Sequence, residues 1–417
     1  MILWLVLAAC SRDDDTDASE SASTLTYYAD VKPVLARHCT RCHNSDGLGM
    51  GDFTNIDELI TLGPAIQSAV MDGRMPPPAA DPGCQDYVGS DNLTLSDDEK
   101  AILVDWIDAD SPLGDPADEP EIPVISGELA DPNLILTMDQ PYMPVYADPD
   151  AGGNEYRCFI LEKPEDMQAF YITALAPIID KDAITHHAVL YTQKTESLQE
   201  DLADYNDGDG IECMNAMGEA SAQGMLTAWA PGMLPVEFPE GHGLYVGDDD
   251  QIILQMHYYA SPDQQGVTDQ SGFAFRTASS VETEVFMAAI SDYSFAIPAN
   301  DASYTYDFSF DNSFIDLNIF GVFPHMHLLG QGYSATIDHS DGSETCLTEG
   351  SYNFNNQMTY MFNEPIPFSR GESLNLSCNW NNSTSNPDLP YDEPQTTYYG
   401  ERTDEEMCYF FTFMARK

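Results

Sequence analysis

The sequence predicts a multidomain chain, a small all-α domain followed by all-β sandwich domains. Its 417 residues suit about three domains of ordinary size. The stretch 25–112 places apolar residues at helical spacing and carries a helix-start signal. From about residue 129 the chain turns to short alternating runs rich in Tyr, Phe, Thr and Asn, punctuated by Gly, Pro, Asn and Asp. Ala169–Thr173, Gln251–Tyr259 and Thr305–Phe310 are examples, and this is the pattern of sandwich strands. Between the two regions, residues 113–128 read as a Pro-rich, acidic linker.

In the first region Tyr27–Leu35 reads as an amphipathic helix and Ile66–Met71 as a short one. Ser96, with Glu99 three residues on, forms a capping-box signal for a closing helix. Ala101, Ile102, Val104, Trp106 and Ile107 supply its apolar side. Between the first two helices lies Arg37-His-Cys-Thr-Arg-Cys-His43, the C-x-x-C-H signature of covalently attached haem. Both sulfurs and the imidazole must reach one porphyrin face from about one helical turn. Cys39 and Cys42 would form the thioethers and His43 would be the proximal iron ligand. The alternatives are a redox dithiol or half of a zinc site. The first expects a βαβ context, absent here, and the second expects another C-x-x-C, which does not follow. Gly47, Gly49 and Gly51 would make a mobile loop over the porphyrin. The stretch resembles class I cytochromes c, in which a Met before prolines often supplies the distal ligand. That resemblance implies Met75, followed by Pro76-Pro-Pro78, as sixth ligand, with Met50 and Met71 as competitors.

The opening run Met1–Cys10 ends Leu7-Ala-Ala-Cys10 and resembles a bacterial lipoprotein signal with its lipobox. The run is too short for a membrane-spanning helix. It lacks the usual basic n-region, which leaves the true start open. Cleavage would leave Cys10 lipidated and the protein anchored to a bacterial membrane, in the periplasm or at the cell surface. The alternative is an ordinary buried or free Cys. Residues 11–24, acidic and rich in Ser and Thr, suit a tether.

The net charge of −55 excludes nucleic acid as a partner, because phosphate binding needs clustered Lys and Arg. The acids are spread along the chain, as on a solvated surface. Asp248–Asp250 and Asp404–Glu406 are clusters that match no EF-hand loop. Of the nine cysteines, one is assigned to lipid and two to haem. Cys84, Cys158, Cys213, Cys346, Cys378 and Cys408 remain, an even number that suggests up to three disulfides.

Five of the nine histidines sit in three strand-like motifs: Thr185-His186-His187-Ala188, Gln255-Met-His257-Tyr258 and Pro324-His325-Met-His327. The period of two in a strand puts His325 and His327 on one face, able to share an ion. His186 and His187 would point to opposite faces of a regular strand. They share an ion only if the strand is twisted or ending there, or if different ring nitrogens are used. Imidazole-rich sites with few carboxylates suit copper, and zinc less well.

Taken together and in this order, these motifs resemble the copper type II, ascorbate-dependent monooxygenases, the family of peptidylglycine α-hydroxylating and dopamine β-monooxygenases. Tyr156-Arg-Cys158, Trp229-Ala-Pro-Gly232, Gly371-Glu-Ser-Leu374 before Cys378, and Asp404-Glu-Glu-Met407-Cys408 look like further motifs of that family. The resemblance implies two jelly-roll-like β-domains, 129–280 and 281–417, with one copper each, facing across a solvent cleft. It implies an electron-relaying copper on His186, His187 and His257. It implies a catalytic, oxygen-binding copper on His325, His327 and Met407, whose thioether favours Cu(I). It also implies a Cys378–Cys408 disulfide. There are departures. Phe323, Tyr409 and Phe411 stand where the peptide-hydroxylating branch has an Arg, Asn and Tyr that hold a substrate carboxylate. Cys158 lacks its family partner near Gln270-Ser-Gly272, with Cys84 or Cys213 as substitutes.

The expectation is therefore a copper monooxygenase that hydroxylates an aliphatic or benzylic carbon of a small, neutral or cationic substrate with O2. The fused haem would pass on electrons from an external donor in place of, or beside, ascorbate. The main alternative is a non-catalytic electron-transfer or copper-binding lipoprotein. A haem peroxidase needs an open iron position, which Met75 would close. A blue-copper oxidase would need a Cys-His motif with a nearby Met, and none remains.

Overall fold

The computed structural model describes residues 25–417 except 46, 48, 123–126, 147–152, 165–166, 199–202, 204, 206–207, 214–223, 261–263, 355, 401 and 403. Cys10, the expected signal and the acidic tether lie outside the described residues.

Three α-helices form the first region. A turn at Tyr27–Val31 runs into α1 (Lys32–His38), followed by α2 (Ile56–Met71) and α3 (Asp97–Asp108). α2 is much longer than the expected Ile66–Met71. Gly63-Pro64 reads as a stop, yet the helix continues through it. Asn55 caps its start by accepting from the Asp57 and Glu58 N–H groups. Leu59, Gly63, Ile66 and Val70 form its buried stripe, with Gly63 beside Ile107 of α3. α3 opens with the expected capping box on Ser96 and Glu99. Its buried residues are Leu103 and Trp106, whereas Ala101 is exposed. Leu103, omitted from the expected apolar side, is thus central to it. These helices share a core of Tyr27, Val31, Leu35, Leu59, Ile66, Leu103 and Trp106.

Segment 78–88, expected inside the helical domain, lies instead on the C-terminal part of the chain. Ala80 bridges to Gly350 and Tyr87 to Phe362. The Val88 N–H donates to the Met361 carbonyl at 2.8 Å. Cys84 and Cys346 form a disulfide with their Cα atoms 5.5 Å apart.

The rest is β-structure, as expected, but the two sandwiches are not independent. One nine-stranded sheet runs through both. Its N-terminal half contains Leu134–Thr137, Gly272–Ala278, Phe170–Ile178, His242–Val246 and the short Val236–Glu237, which pairs with Phe170–Ile178. Its C-terminal half contains Thr283–Ser291, Tyr409–Arg416, Leu317–His325 and Tyr360–Phe368. The halves join where Thr283–Val285 pairs in parallel with His242–Leu244. A five-stranded sheet, Ile211–Glu212, Gly153–Leu161, Asp250–Ala260, Thr185–Lys194 and Met225–Trp229, covers the first half. A four-stranded sheet, Asp301–Asp311, Ser373–Asn382, Gly330–Asp338 and Glu344–Ser351, covers the second. One continuous core links all three sheets, with Phe159, Leu254, Phe273, Ile319, Leu376 and Phe410 among its members. Burying apolar side chains across that junction makes the halves one packing unit.

Two more disulfides complete the set. Cys378–Cys408 is present as the resemblance implied, with Cα atoms 6.0 Å apart. Cys158 pairs with Cys213, with Cα atoms 5.7 Å apart. Three disulfides fit an oxidising compartment, extracellular or periplasmic. Among the described residues no helix is long and apolar enough to cross a membrane.

Candidate metal centres

The strand Thr185–Lys194 pairs with Asp250–Ala260, and His187 lies directly opposite His257. The next pair is Thr185 with Tyr258, so His186 is an extra residue on its strand. This β-bulge breaks the alternation that would send His186 and His187 to opposite faces. The ligating atoms of His186, His187 and His257 all lie within 4.8 Å of one another. The Nδ1 atom of His187 is 3.2 Å from that of His186 and 3.3 Å from that of His257. Tyr156, paired with His257 from the other side, stacks on its ring at 4.1 Å. Burial, then the neighbouring imidazoles, hold the His187 pKa well below its ordinary value and lower that of His257 to about 3. Both rings are neutral at physiological pH, the form that offers a lone pair to a metal.

The second group starts at the end of the strand Leu317–His325. His327 stands just beyond, in a turn closed by the Gly330 N–H donating to the His327 carbonyl. The two rings are 5.2 Å apart and nearly perpendicular. His325 Nδ1 meets Gln357 Oε1 at 2.5 Å, and His327 Nδ1 meets the Glu405 carbonyl at 3.1 Å. With Nδ1 engaged on each ring, Nε2 is the nitrogen left for a metal, whereas in the first group the Nδ1 atoms converge. Burial lowers the His325 pKa to about 4 and, with the charge of His325, that of His327 to about 3.

Met407 is buried, and its backbone is held by Glu406. This fully buried carboxylate accepts from the N–H groups of His327 (2.9 Å), Leu329 (2.6 Å) and Met407 (3.2 Å), and from Trp380 Nε1 (2.9 Å). Burial pushes its pKa up to about 7, against the pull of those donors. Glu406 was visible only as a letter in the Asp404–Cys408 motif. Nothing in the sequence marked it as the clamp that joins the His327 turn to Met407.

The two groups lie in adjacent halves of the β-structure. His325 is close enough to His187 for its charge to lower the His187 pKa. Thr359 ties the halves together, its hydroxyl donating to the Ala228 carbonyl at 3.2 Å and its N–H to Met233 Sδ at 3.4 Å. Beside the second group stands an aromatic wall. Phe323 stacks on Phe411 at 5.6 Å and Tyr409 on Phe411 at 5.2 Å, with the His325 ring 6.0 Å from Phe323. Arg402 is paired through two nitrogens with Asp404.

At the C-x-x-C-H turn, the Cys42 and His43 N–H groups donate to the Cys39 carbonyl at 3.1 and 2.9 Å. Cys39 and Cys42 are not joined to each other. Burial pushes the Cys39 thiol up to about 12 and raises Cys42 as well. A redox dithiol needs the opposite, a lowered thiol pKa. His43 stacks on Phe53 at 4.2 Å and meets the Met50 carbonyl through Nδ1 at 3.0 Å, so Nε2 is the nitrogen that would face an iron. The glycine loop lies tightly on this turn: a Cβ on Gly49 would come within 2.6 Å of the His43 ring. These features fit thioether attachment and a proximal imidazole. Met75 is 41% exposed, against 67% for Met71 and 85% for Met50. It lines a cleft of about 830 Å³ with Val70, Leu93 and Leu95 from its own module and Thr305 and Tyr333 from the C-terminal sandwich. His43, Cys39 and Cys42 are not among that cleft's lining residues.

Two imidazole-rich groups with few carboxylates, on a shared pair of β-sandwiches, suit a metal such as copper. Residues 143–265 match the N-terminal domain, and residues 284–415 the C-terminal domain, of the copper type II ascorbate-dependent monooxygenases. Together the matches take in more than half of the chain, which belongs to this family and by membership is a two-copper protein. A tyramine beta-hydroxylase from Caenorhabditis briggsae is 26% identical over 127 residues, 29% of this chain and 21% of that protein. The chain thus spans about a fifth of that relative's length. Among solved structures, the major capsid protein P2 of bacteriophage PM2 aligns over 68% of this chain and 97% of its own, at 9% identity and a TM-score of 0.24. The VP2 subviral particle of infectious bursal disease virus aligns over 63% and 56%, at 14% identity and a TM-score of 0.19. Scores this low carry no argument about fold.

Proposed function

We propose that the chain hydroxylates an aliphatic or benzylic carbon of a small molecule, R–H + O2 + 2e⁻ + 2H⁺ → R–OH + H2O, with electrons arriving through a c-type haem. The observation that carries this is the pair of histidine groups. His186, His187 and His257 are gathered by a bulge, and the His327 turn is tied to Met407 through Glu406. His186, His187 and His257 would hold one copper, and His325, His327 and Met407 the other. Copper, when bound, supplies the one-electron and oxygen chemistry. The protein's part is orientation. Gln357 and the Glu405 carbonyl fix the two rings of the oxygen-side group, as partners of metal-bound imidazoles do.

The wall of Phe323, Tyr409 and Phe411 offers contact to an apolar or aromatic carbon and no charge for a carboxylate. Arg402, the other cation near the motif, is already paired. Burying a carboxylate without a cation costs several kcal/mol, and the charge of −55 favours cations over anions. The similar protein is named for the hydroxylation of tyramine, which makes phenethylamine-like compounds the first substrates to try. Cys39, Cys42 and His43 would hold the haem, with Met75 as sixth ligand, and the lipobox supports a membrane anchor at Cys10.

Oxygen uptake by copper-loaded protein, supplied with a reduced donor and phenethylamines, tests the reading. Uptake that yields hydroxylated product is expected. The Met407→His protein should keep its copper and lose turnover, since imidazole favours Cu(II). Full activity in that variant would refute the role given to the thioether.

A further inference from the structure

We infer that Arg41 is a positioning residue that docks the C-x-x-C-H turn on the first metal group, so that electrons enter the β-domains at His186, His187 and His257. The inference rests on the haem reading above.

Arg41 lies inside the attachment motif, between Cys39 and Cys42. Its Nη1 donates to the Gly232 carbonyl at 2.9 Å, across 191 residues of sequence. Gly232 has a φ of +106°, and a Cβ there would come within 2.7 Å of the guanidinium carbon. Only glycine leaves that space. The Arg41 Nε is buried without a partner among the described residues. A contact that leaves a guanidinium N–H unsatisfied is poorly explained by stability alone.

Gly232 belongs to the turn that follows the strand Met225–Trp229, closed by the Met233 N–H donating to the Ala230 carbonyl. Trp229 pairs with Ala188, the neighbour of His187. One short stretch of chain therefore leads from the Arg41 contact to the first group.

A competing route leaves from the Met75 side. Asn356 Nδ2 donates to the Pro78 carbonyl at 3.0 Å, and the adjacent Gln357 meets His325. That route starts three residues beyond Met75, outside the attachment motif, and leads to the second group rather than the first. The Arg41 route starts within the residues that would hold the porphyrin. The step is a single electron transfer, Fe(II) + Cu(II) → Fe(III) + Cu(I), with no bond made or broken and no proton moved.

The test uses the full chain carrying haem and copper, without oxygen or substrate. A light pulse with a flavin donor reduces the haem, and its reoxidation is followed by absorbance, with Cu(II) measured by electron paramagnetic resonance. Reoxidation should be first order, independent of protein concentration, and lost in His257→Ala. Arg41→Ala should slow it about tenfold or more through lost positioning, with haem content and haem potential unchanged, and Arg41→Lys should restore part of the rate. Gly232→Ala, which displaces the guanidinium without touching the attachment motif, should slow it similarly. Asn356→Ala should not. An unchanged rate in both Arg41→Ala and Gly232→Ala, equal or greater slowing by Asn356→Ala, or slowing accounted for by a shifted haem potential would each overturn the inference. Absence of covalent haem in the parent protein would instead defeat the haem reading, and the inference with it.

Discussion

The Glu406 carboxylate accepts the His327 backbone N–H at 2.9 Å and, through the same oxygen, the Met407 N–H at 3.2 Å. One buried side chain thus ties the His327 turn to Met407, just ahead of the strand Tyr409–Arg416. Its other partners, Leu329 and Trp380, extend the clamp toward the Cys378–Cys408 disulfide.

Glu406→Ala should therefore strip partners from four buried donors at once. A loss of about 3 kcal/mol or more is expected, since each orphaned buried donor costs roughly 1–3 kcal/mol. Copper should be lost from the second group and kept by the first. Denaturant unfolding and copper counting check this, and a variant with full stability and both coppers would show that the clamp is dispensable.

Cys84–Cys346 joins the segment after Met75 to the C-terminal sandwich across 262 residues. Replacing both cysteines with Ser should cost about 2–4 kcal/mol, chiefly by freeing the unfolded chain. Neither copper group touches this bond, so copper content should hold. Loss of copper in the double variant would mean that the staple shapes the sites themselves.

Met75→Ala should open the proposed haem and shift its spectrum away from low-spin His/Met ligation. Met50→Ala and Met71→Ala should leave the spectrum alone, in keeping with their greater exposure. A spectrum that changes only with Met50 or Met71 would move the assignment.

Phenethylamines should be hydroxylated faster than glycine-extended peptides at equal concentration and moderate salt. The aromatic wall and the pairing of Arg402 with Asp404 both point this way. Faster turnover of the peptides would show that a cation elsewhere holds the carboxylate.

Much of this was legible in the sequence because local chemistry determines it. The capping box of α3, the C-x-x-C-H turn, the β-character beyond the linker and the five candidate copper histidines all rest on near neighbours in the chain. What could not be read depends on distant partners. The shared side of His186 and His187 needs a bulge, which exists only relative to the strand carrying His257. The full length of α2 rests on burying Leu59, Ile66 and Val70 in a core shared with distant helices. The docking of segment 78–88 goes with the pairing of Cys84 with Cys346, one of several open pairings. The roles of Glu406 and Arg41 are set by contacts across 79 and 191 residues.

The central claim is that this chain carries two separate copper groups and one haem. Copper and iron counted per chain, in protein matured by a haem-attaching host, test it most directly. The account predicts two coppers and one iron, falling to one copper when His325 and His327 are both replaced by Ala, with the iron unchanged. Two coppers retained in that double variant would contradict the assignment of the second group, and protein without iron would contradict the haem.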